Sequence, residues 1–469
     1  MSILANASWL TGTRIASDLI SVLLFVILTR YFGPAGIGQY SYGFAIAGLL
    51  YAFVSLGLQD YAIRESSLLS IEARRILLGR LLGTQLGILV LAVFGLFIFL
   101  LITRPSEEIV AIIILLSGYH VTLAFAQTLF VPAYSQQSMV GPAVTEFVCR
   151  VSIIGGAIIL LAGMHTSLPI ALIPFPLGGL LLVSLAAASA RHHNEGLHVR
   201  IGWIESTMIF RLLWPFTASL VIDSVYYRAG LIMLLLFIGD ATAGLYASSI
   251  KFLEVGTVPL FFLGLAVYPT LSVLFRHSDQ TNLIEAVDSI LRATLVAGGL
   301  LAWALFFLVP LILVPLFGEQ FTAGEPVVQA LAIVGVLFSI ETTAARLLFA
   351  MHLQNKIVKL RFLSLIVLLV LNLILIPLIG ISGAVIAWIV SSTCALLMYF
   401  IAIQSQIKIV TLVKTVLLFS TLLSVAFLTG VFMTWVSSNP WLPSLTSLVM
   451  FVIVILGTSF LPIRKLLKM

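Results

Sequence analysis

The chain has 469 residues, of which 61% are hydrophobic and only 9% charged. A soluble domain carries about 25% charge, so a soluble fold is excluded and the chain reads as a polytopic membrane protein. Its net charge of +6 implies no nucleic-acid partner, because basic residues in short loops follow from membrane orientation and anionic headgroups.

Fourteen apolar segments are each long enough to cross ~30 Å of hydrocarbon as a helix. They lie near 8–30, 37–58, 78–103, 108–134, 141–162, 168–190, 211–237, 243–274, 290–316, 327–350, 357–378, 383–404, 411–436 and 443–462. No stretch alternates in the ~10-residue manner of a membrane β-barrel, so the expected fold is all-α. The first apolar segment is full-length and continues into further spans, so no short cleavable signal is expected. Cys149 and Cys394 lie within apolar runs, which argues against a disulfide framework or a thiolate metal site.

Charge orients the spans. Alternate connections carry Arg64, Arg74, Arg75 and Arg80; Arg191, Arg200 and Arg211; Arg276 and Arg292; Lys356, Lys359 and Arg361; Lys408 and Lys414; and, in the tail, Arg464, Lys465 and Lys468. Those positions hold seventeen of the 24 Lys and Arg residues. The opposite connections hold Arg30 and Arg104 beside acids such as Glu107, Glu319 and Glu325. Both termini are therefore expected in the cytoplasm of a multi-pass protein in the cell membrane.

The stretch Arg30–Gly43 is a Gly/Pro-rich connection between the first two spans. Its pattern Gly33-x4-Gly38-x-Tyr40 returns as Gly239-x4-Gly244-x-Tyr246, at one offset of 206 residues. A weaker echo at offset 218 links Leu129-Phe130…Tyr134-Ser135-Gln136-Gln137 with Leu347-Leu348…His352-Leu353-Gln354-Asn355. Recurrence at fixed offset is the mark of internal duplication. In a membrane chain it suggests a transporter with its site at the repeat interface. The expected organisation is a six-helix lobe over 1–190, a cytoplasmic connection over 191–210, a second six-helix lobe over 211–405, and two further helices with a tail over 406–469. Six spans per lobe is an even number, so the lobes run the same way and relate by a pseudo-two-fold axis along the membrane normal.

The run Leu28-Thr29-Arg30-Tyr31-Phe32-Gly33-Pro34 with Gly38-Gln39-Tyr40-Ser41 resembles that of Wzx-like oligosaccharide flippases. These are the polysaccharide-export branch of the multidrug/oligosaccharidyl-lipid/polysaccharide (MOP) exporter superfamily. The resemblance continues at Gly239-Asp240, at Gly244-Leu245-Tyr246-Ala247-Ser248 and at Ala266-Val267-Tyr268-Pro269-Thr270-Leu271-Ser272, and covers roughly residues 5–405. It implies a MATE-like two-lobe fold and alternating-access export of a polyprenyl-diphosphate oligosaccharide. No enzymatic activity and no cofactor are implied; coupling to H+ or Na+ and contact with polysaccharide polymerase or assembly proteins are. A monomer is expected. Where members carry Arg-x-Asp in span seven, this chain reads Arg228-Ala229-Gly230, with Asp223 earlier.

Ten charged residues fall inside spans: Arg14 and Asp18, Glu146 and Arg150, Asp223 and Arg228, Lys251 and Glu254, Glu341 and Arg346. Each costs roughly 2.5–3.5 kcal/mol near the bilayer centre, so none should face lipid. The first two pairs are spaced i,i+4 and Lys251/Glu254 i,i+3, so each can share a helix face. Asp223/Arg228 and Glu341/Arg346 are i,i+5 and should seek partners on other helices. Two readings are open for these groups: structural ion pairs, or the lining of a hydrated cationic cavity. A diphosphate needs charge compensation to cross hydrocarbon, and Arg grips phosphate oxygens with a planar fork. The first candidates are Arg14, Arg228 and Lys251, on spans where duplicated lobes should face each other, followed by Arg30, Arg150 and Arg346. Arg30 also reads as an interfacial anchor. Asp18, Asp223, Glu254 and Glu341 are the candidates for ion or proton coupling.

His120 reads either as a titrating group or as a hydrogen-bonded packing residue. The run Arg191-His192-His193-Asn194-Glu195-Gly196-Leu197-His198 reads as a solvated loop in preference to metal ligands. Pro215 and Pro259 are candidate bending points. No Gly-x4-Gly-Lys-Ser/Thr occurs, which excludes a P-loop for ATP. The rival functions are a cation-coupled multidrug exporter, a lipid II flippase and a membrane glycosyltransferase; the last is disfavoured by outer connections only ~5–10 residues long, too short for catalytic loops.

Overall fold

A computed structural model describes residues 3–164, 166–193, 203–276, 280–351, 353–404, 410–437, 439, 441–457 and 460, without the side chains of some helix residues. Helix accounts for 93% of the structure, and no strand occurs among the described residues. Hydrocarbon cannot satisfy free backbone groups, and helices satisfy their own. The chain divides into two compact units, Met1–Gly244 and Leu245–Met469.

The first unit holds α1 (Ile3–Ser55), α2 (Leu58–Ser66), α3 (Ile71–Thr103), α4 (Glu107–Leu129), α5 (Val131–Ser135), α6 (Val140–Met164), α7 (Leu168–Ala171), α8 (Pro174–His192), α9 (Trp203–Phe237) and the start of α10 (Asp240–Arg276). α1 is a helical hairpin. Gly33 interrupts it with φ 64° and ψ −167°, a conformation essentially restricted to glycine. Phe25 and Tyr40, which a straight helix would hold ~22 Å apart, have ring centroids 6.5 Å apart, so the chain doubles back. Pro34 then opens the second arm, where its missing N–H is no loss. Gly239, with φ 126°, makes the matching break between α9 and α10.

Ser70 and Ser106 cap α3 and α4 by accepting from Ala73 N and Ile109 N. Glu72, Glu107 and Glu108 add negative charge to those first turns, where the helix dipole favours it. α1 packs on α4, α6 and α9, while α8 packs on α4 and α6. Successive glycines of α8 make that approach close: a methyl at Gly178 would meet Ile153 of α6 at 2.2 Å, and one at Gly179 would meet Thr122 of α4 at 2.2 Å. Buried Gln85 of α3 donates to Val54 O of α1 and Ala124 O of α4, both at 3.3 Å.

The second unit continues α10 and adds α11 (Gln280–Trp303), a π-helical turn (Ala304–Leu308), α12 (Val309–Phe317), a 3₁₀ turn (Glu319–Gly324), α13 (Glu325–Ala350), α14 (Gln354–Ile379), α15 (Ile381–Gln404), α16 (Val410–Val436) and α17 (Leu442–Gly457). The π turn sits just ahead of Pro310, whose ring cannot complete the regular α ladder. The core of this unit joins Leu295, Ile340, Leu348, Tyr399, Phe419 and Phe460. α16 and α17 pack on α11; Phe419 and Phe451 crowd Gly299, and Trp303 Nε1 donates to Ser444 O at 3.0 Å.

Among the described residues, eleven helices are long and apolar enough to cross a membrane. All fourteen expected segments fall on helices, because α1 carries two, α10 the eighth and α17 the last. The charged connections differ from expectation in detail. α3 has 33 residues, ~50 Å of helix, so Arg74, Arg75 and Arg80 ride on its end instead of in a loop. Arg292 likewise sits within α11. The backbone leaves helical geometry at Gly33 and at Gly239, while Pro259 lies within α10. The Pro215 side chain, Lys408, Arg200, His198 and the tail residues Arg464, Lys465 and Lys468 lie outside the described residues.

Candidate functional site

The two copies of the glycine motif meet in the first unit, an arrangement that the duplication alone did not announce. A methyl at Gly38 would stand 2.0 Å from Asp240 O and 2.9 Å from Gly244 N; one at Gly244 would stand 1.8 Å from Pro34 O and 3.0 Å from Gly38 N. Pro34 and Asp240 are themselves equivalent at offset 206, so the contact is reciprocal. Each glycine lies against the other copy's backbone. Gln39 Nε2 also donates to Asp240 Oδ2 at 2.7 Å.

Two guanidinium groups lie deeper in this unit. Arg150 of α6 sends Nη1 to Asp18 Oδ1 and to Ser21 Oγ of α1, both at 3.3 Å. The Arg150 and Asp18 side chains keep 30% and 54% of their surface exposed, so this pair is only partly withdrawn from solvent or lipid. Arg228 of α9 lies against Gly48 on the second arm of α1, and its Nη1 donates to Ser224 O at 3.3 Å. Asp18 and Gly48 are each fifteen residues from Gly33, so both guanidinium seats lie ~22 Å along their arms from the hairpin turn.

His120 of α4 is a packing residue. It is buried, its Nδ1 lies 2.9 Å from Leu116 O, and the rings of Phe44, Tyr51 and Tyr119 surround it edge-on. Tyr51 donates to Gln127 Oε1, tying α1 to α4.

In the second unit the expected Lys251/Glu254 pair is present, with Nζ 2.6 Å from Oε2. Glu341, buried in α13, reaches Arg361 of α14 at 3.8 Å, and Arg361 Nε donates to Tyr399 OH of α15 at 3.2 Å. The i,i+5 spacing anticipated a partner on another helix; the reading of Arg361 as a loop cation concealed which one. Arg292 Nε holds Asp288 Oδ2 at 2.8 Å, and Thr415 donates to the other oxygen of Asp288.

Asp18 is held by a cation from α6, where its i,i+4 spacing had pointed to Arg14, whose side chain lies outside the described residues. Arg30 is exposed three residues before Gly33, an interfacial anchor's position. Asp223 and Arg346 are half-buried. Sequence reasoning missed Ser21 and Gly48 because neither carries charge. Among the described residues no cluster of three His, Cys, Asp or Glu side chains suits a metal.

A family model described as polysaccharide biosynthesis protein matches residues 3–275. The chain belongs to this family. A comparison with curated proteins finds no match. Among solved structures, the lipid II flippase MurJ in an inward closed conformation matches 99% of this chain and 100% of its own, with TM-score 0.75 and 16% identity. An inward-facing multidrug resistance MATE transporter of the MOP superfamily matches 83% of this chain and 95% of its own, with TM-score 0.61 and 13% identity. A eukaryotic MATE transporter matches 85% and 95%, with TM-score 0.53 and 14% identity. This member of the polysaccharide biosynthesis family therefore has the MOP transporter fold in a multi-pass membrane chain.

Proposed function

We propose that the protein flips a polyprenyl-diphosphate-linked oligosaccharide from the cytoplasmic to the outer leaflet of the cell membrane by alternating access. The observation that carries this reading is a polysaccharide-biosynthesis chain made almost wholly of membrane helix. Such a chain has little extramembrane protein in which to place sugar-transfer chemistry, and a lipid II flippase shares its fold. The diphosphate carries about two negative charges, and moving them through hydrocarbon requires cations. Arg150 and Arg228 supply two in the first unit; Lys251, paired with Glu254 in the second, is a separate candidate.

In this reading Asp18 holds Arg150 while the site is empty, and a phosphate oxygen displaces the carboxylate on binding. Asp18 thereby becomes the first coupling candidate, since a released carboxylate can take up H+ or Na+. Asp223, Glu254 and Glu341 follow it. The membrane glycan and both cytoplasmic termini belong to the same proposal.

Replacing Arg150 and Arg228 together by Gln tests it. Surface polysaccharide should disappear from the producing cell while the protein still inserts in the membrane, and susceptibility to cationic drugs should stay unchanged. Retained surface polysaccharide overturns the reading.

A further inference from the structure

Gly48 differs from the other close-packed glycines in what it faces. At Gly38, Gly244 and Gly383 an added methyl would strike backbone atoms of a neighbouring segment. At Gly48 it would strike the guanidinium of Arg228: Nη2 at 2.7 Å, Nε at 2.8 Å and Cζ at 3.0 Å. Both nitrogens are nearer than the central carbon, so the Nε–Nη2 edge of the guanidinium faces the glycine obliquely. Gly48 is buried, and Arg228 is half-buried on the neighbouring helix α9. Nη1 is turned to Ser224 O of its own helix at 3.3 Å, so the fork is oriented from two sides. The side chain is long and flexible, so a methyl would move the guanidinium and leave both helices in place.

We propose that Gly48 is a positioning residue: the bare Cα seats the Arg228 guanidinium at the depth and tilt at which its fork takes the oxygens of a lipid diphosphate. This rests on the function proposed above. An arginine fork rewards orientation, because two parallel N–H···O bonds form only when the plane is set correctly. A glycine that served helix packing alone would face the neighbouring backbone or a core side chain.

The test is a double-mutant cycle on the full chain, reading the affinity for a fluorescent polyprenyl diphosphate and the flipping rate in proteoliposomes, with thermal melting measured in parallel. Arg228→Ala and Gly48→Ala should each weaken binding about tenfold, the scale of one charge-assisted contact. Because they act through one group, the double variant should be no worse than Arg228→Ala alone. Gly48→Ala should leave the melting temperature within a few degrees of the parent. Additive losses, or a Gly48→Ala variant that melts early but binds normally, overturn the inference.

If Gly48→Ala does not fold, Arg228→Lys is read alone, since it keeps Gly48 and the charge but has no guanidinium edge to seat on the glycine. That variant should lose most of the affinity at an unchanged melting temperature; affinity equal to the parent's overturns the inference. If Arg228→Ala itself binds and flips normally, the proposed function fails first, independently of Gly48.

Discussion

Glu341 and Arg361 stand 3.8 Å apart on neighbouring helices of the second unit, and only 11% of the Glu341 side-chain surface is exposed. Removing one partner of such a pair leaves a charge with poor solvation, whereas removing both is far milder. Arg361→Ala should therefore lower stability in detergent by about 1–2 kcal/mol, and Glu341→Gln added to it should recover most of the loss; melting curves of the three variants check this. That some in-span acid would reach across to another helix was legible from the i,i+5 spacing alone. The identity of the partner was not, because a cation two turns inside a helix end and a cation in a loop have the same sequence signature. Gly48 was illegible for a different reason: a glycine announces that a side chain is absent and says nothing of what fills the space.

At the scale of the element, the α1 hairpin depends on one residue. Gly33 adopts φ 64° with ψ −167°, and any side chain there meets strain of about 1–3 kcal/mol. Gly33→Ala should therefore lower the melting temperature through backbone strain. Gly38→Ala and Gly244→Ala act otherwise, since their obstacles are carbonyl and amide groups of the opposing copy. Each should cost about 3 kcal/mol, by similar amounts because the contact is reciprocal. Melting of the two single variants side by side reads this; a large difference between them would show that the seam is not symmetric. The Gly/Pro punctuation correctly marked both turns, but the contact of one turn with the other has no signature in sequence.

The whole molecule carries its orientation in its charges. Leu68 is 81% exposed, beside Arg64 and Arg74, while Glu108 is exposed at the capped start of α4. In a background with Cys149 and Cys394 replaced by Ala, Leu68→Cys should react with an impermeant maleimide only from the cytoplasmic side. Glu108→Cys should react only from outside. The reverse pattern would invert the topology read from the basic residues. Span number and helix class were legible throughout, because hydropathy and the demand for satisfied backbone groups act on every residue alike. Where the helices overshoot the bilayer was not, since α3 keeps its periodic apolar pattern past the charges at its end.

The seam between Gly38 and Gly244 also limits what the repeated pattern can become. Wherever side chains meet, a larger one on one turn can be answered by a smaller one on the other. Main-chain atoms offer no such exchange: nothing can shrink opposite Gly38, because the carbonyl of Asp240 stands there. Either glycine can therefore be enlarged only if the two turns move apart.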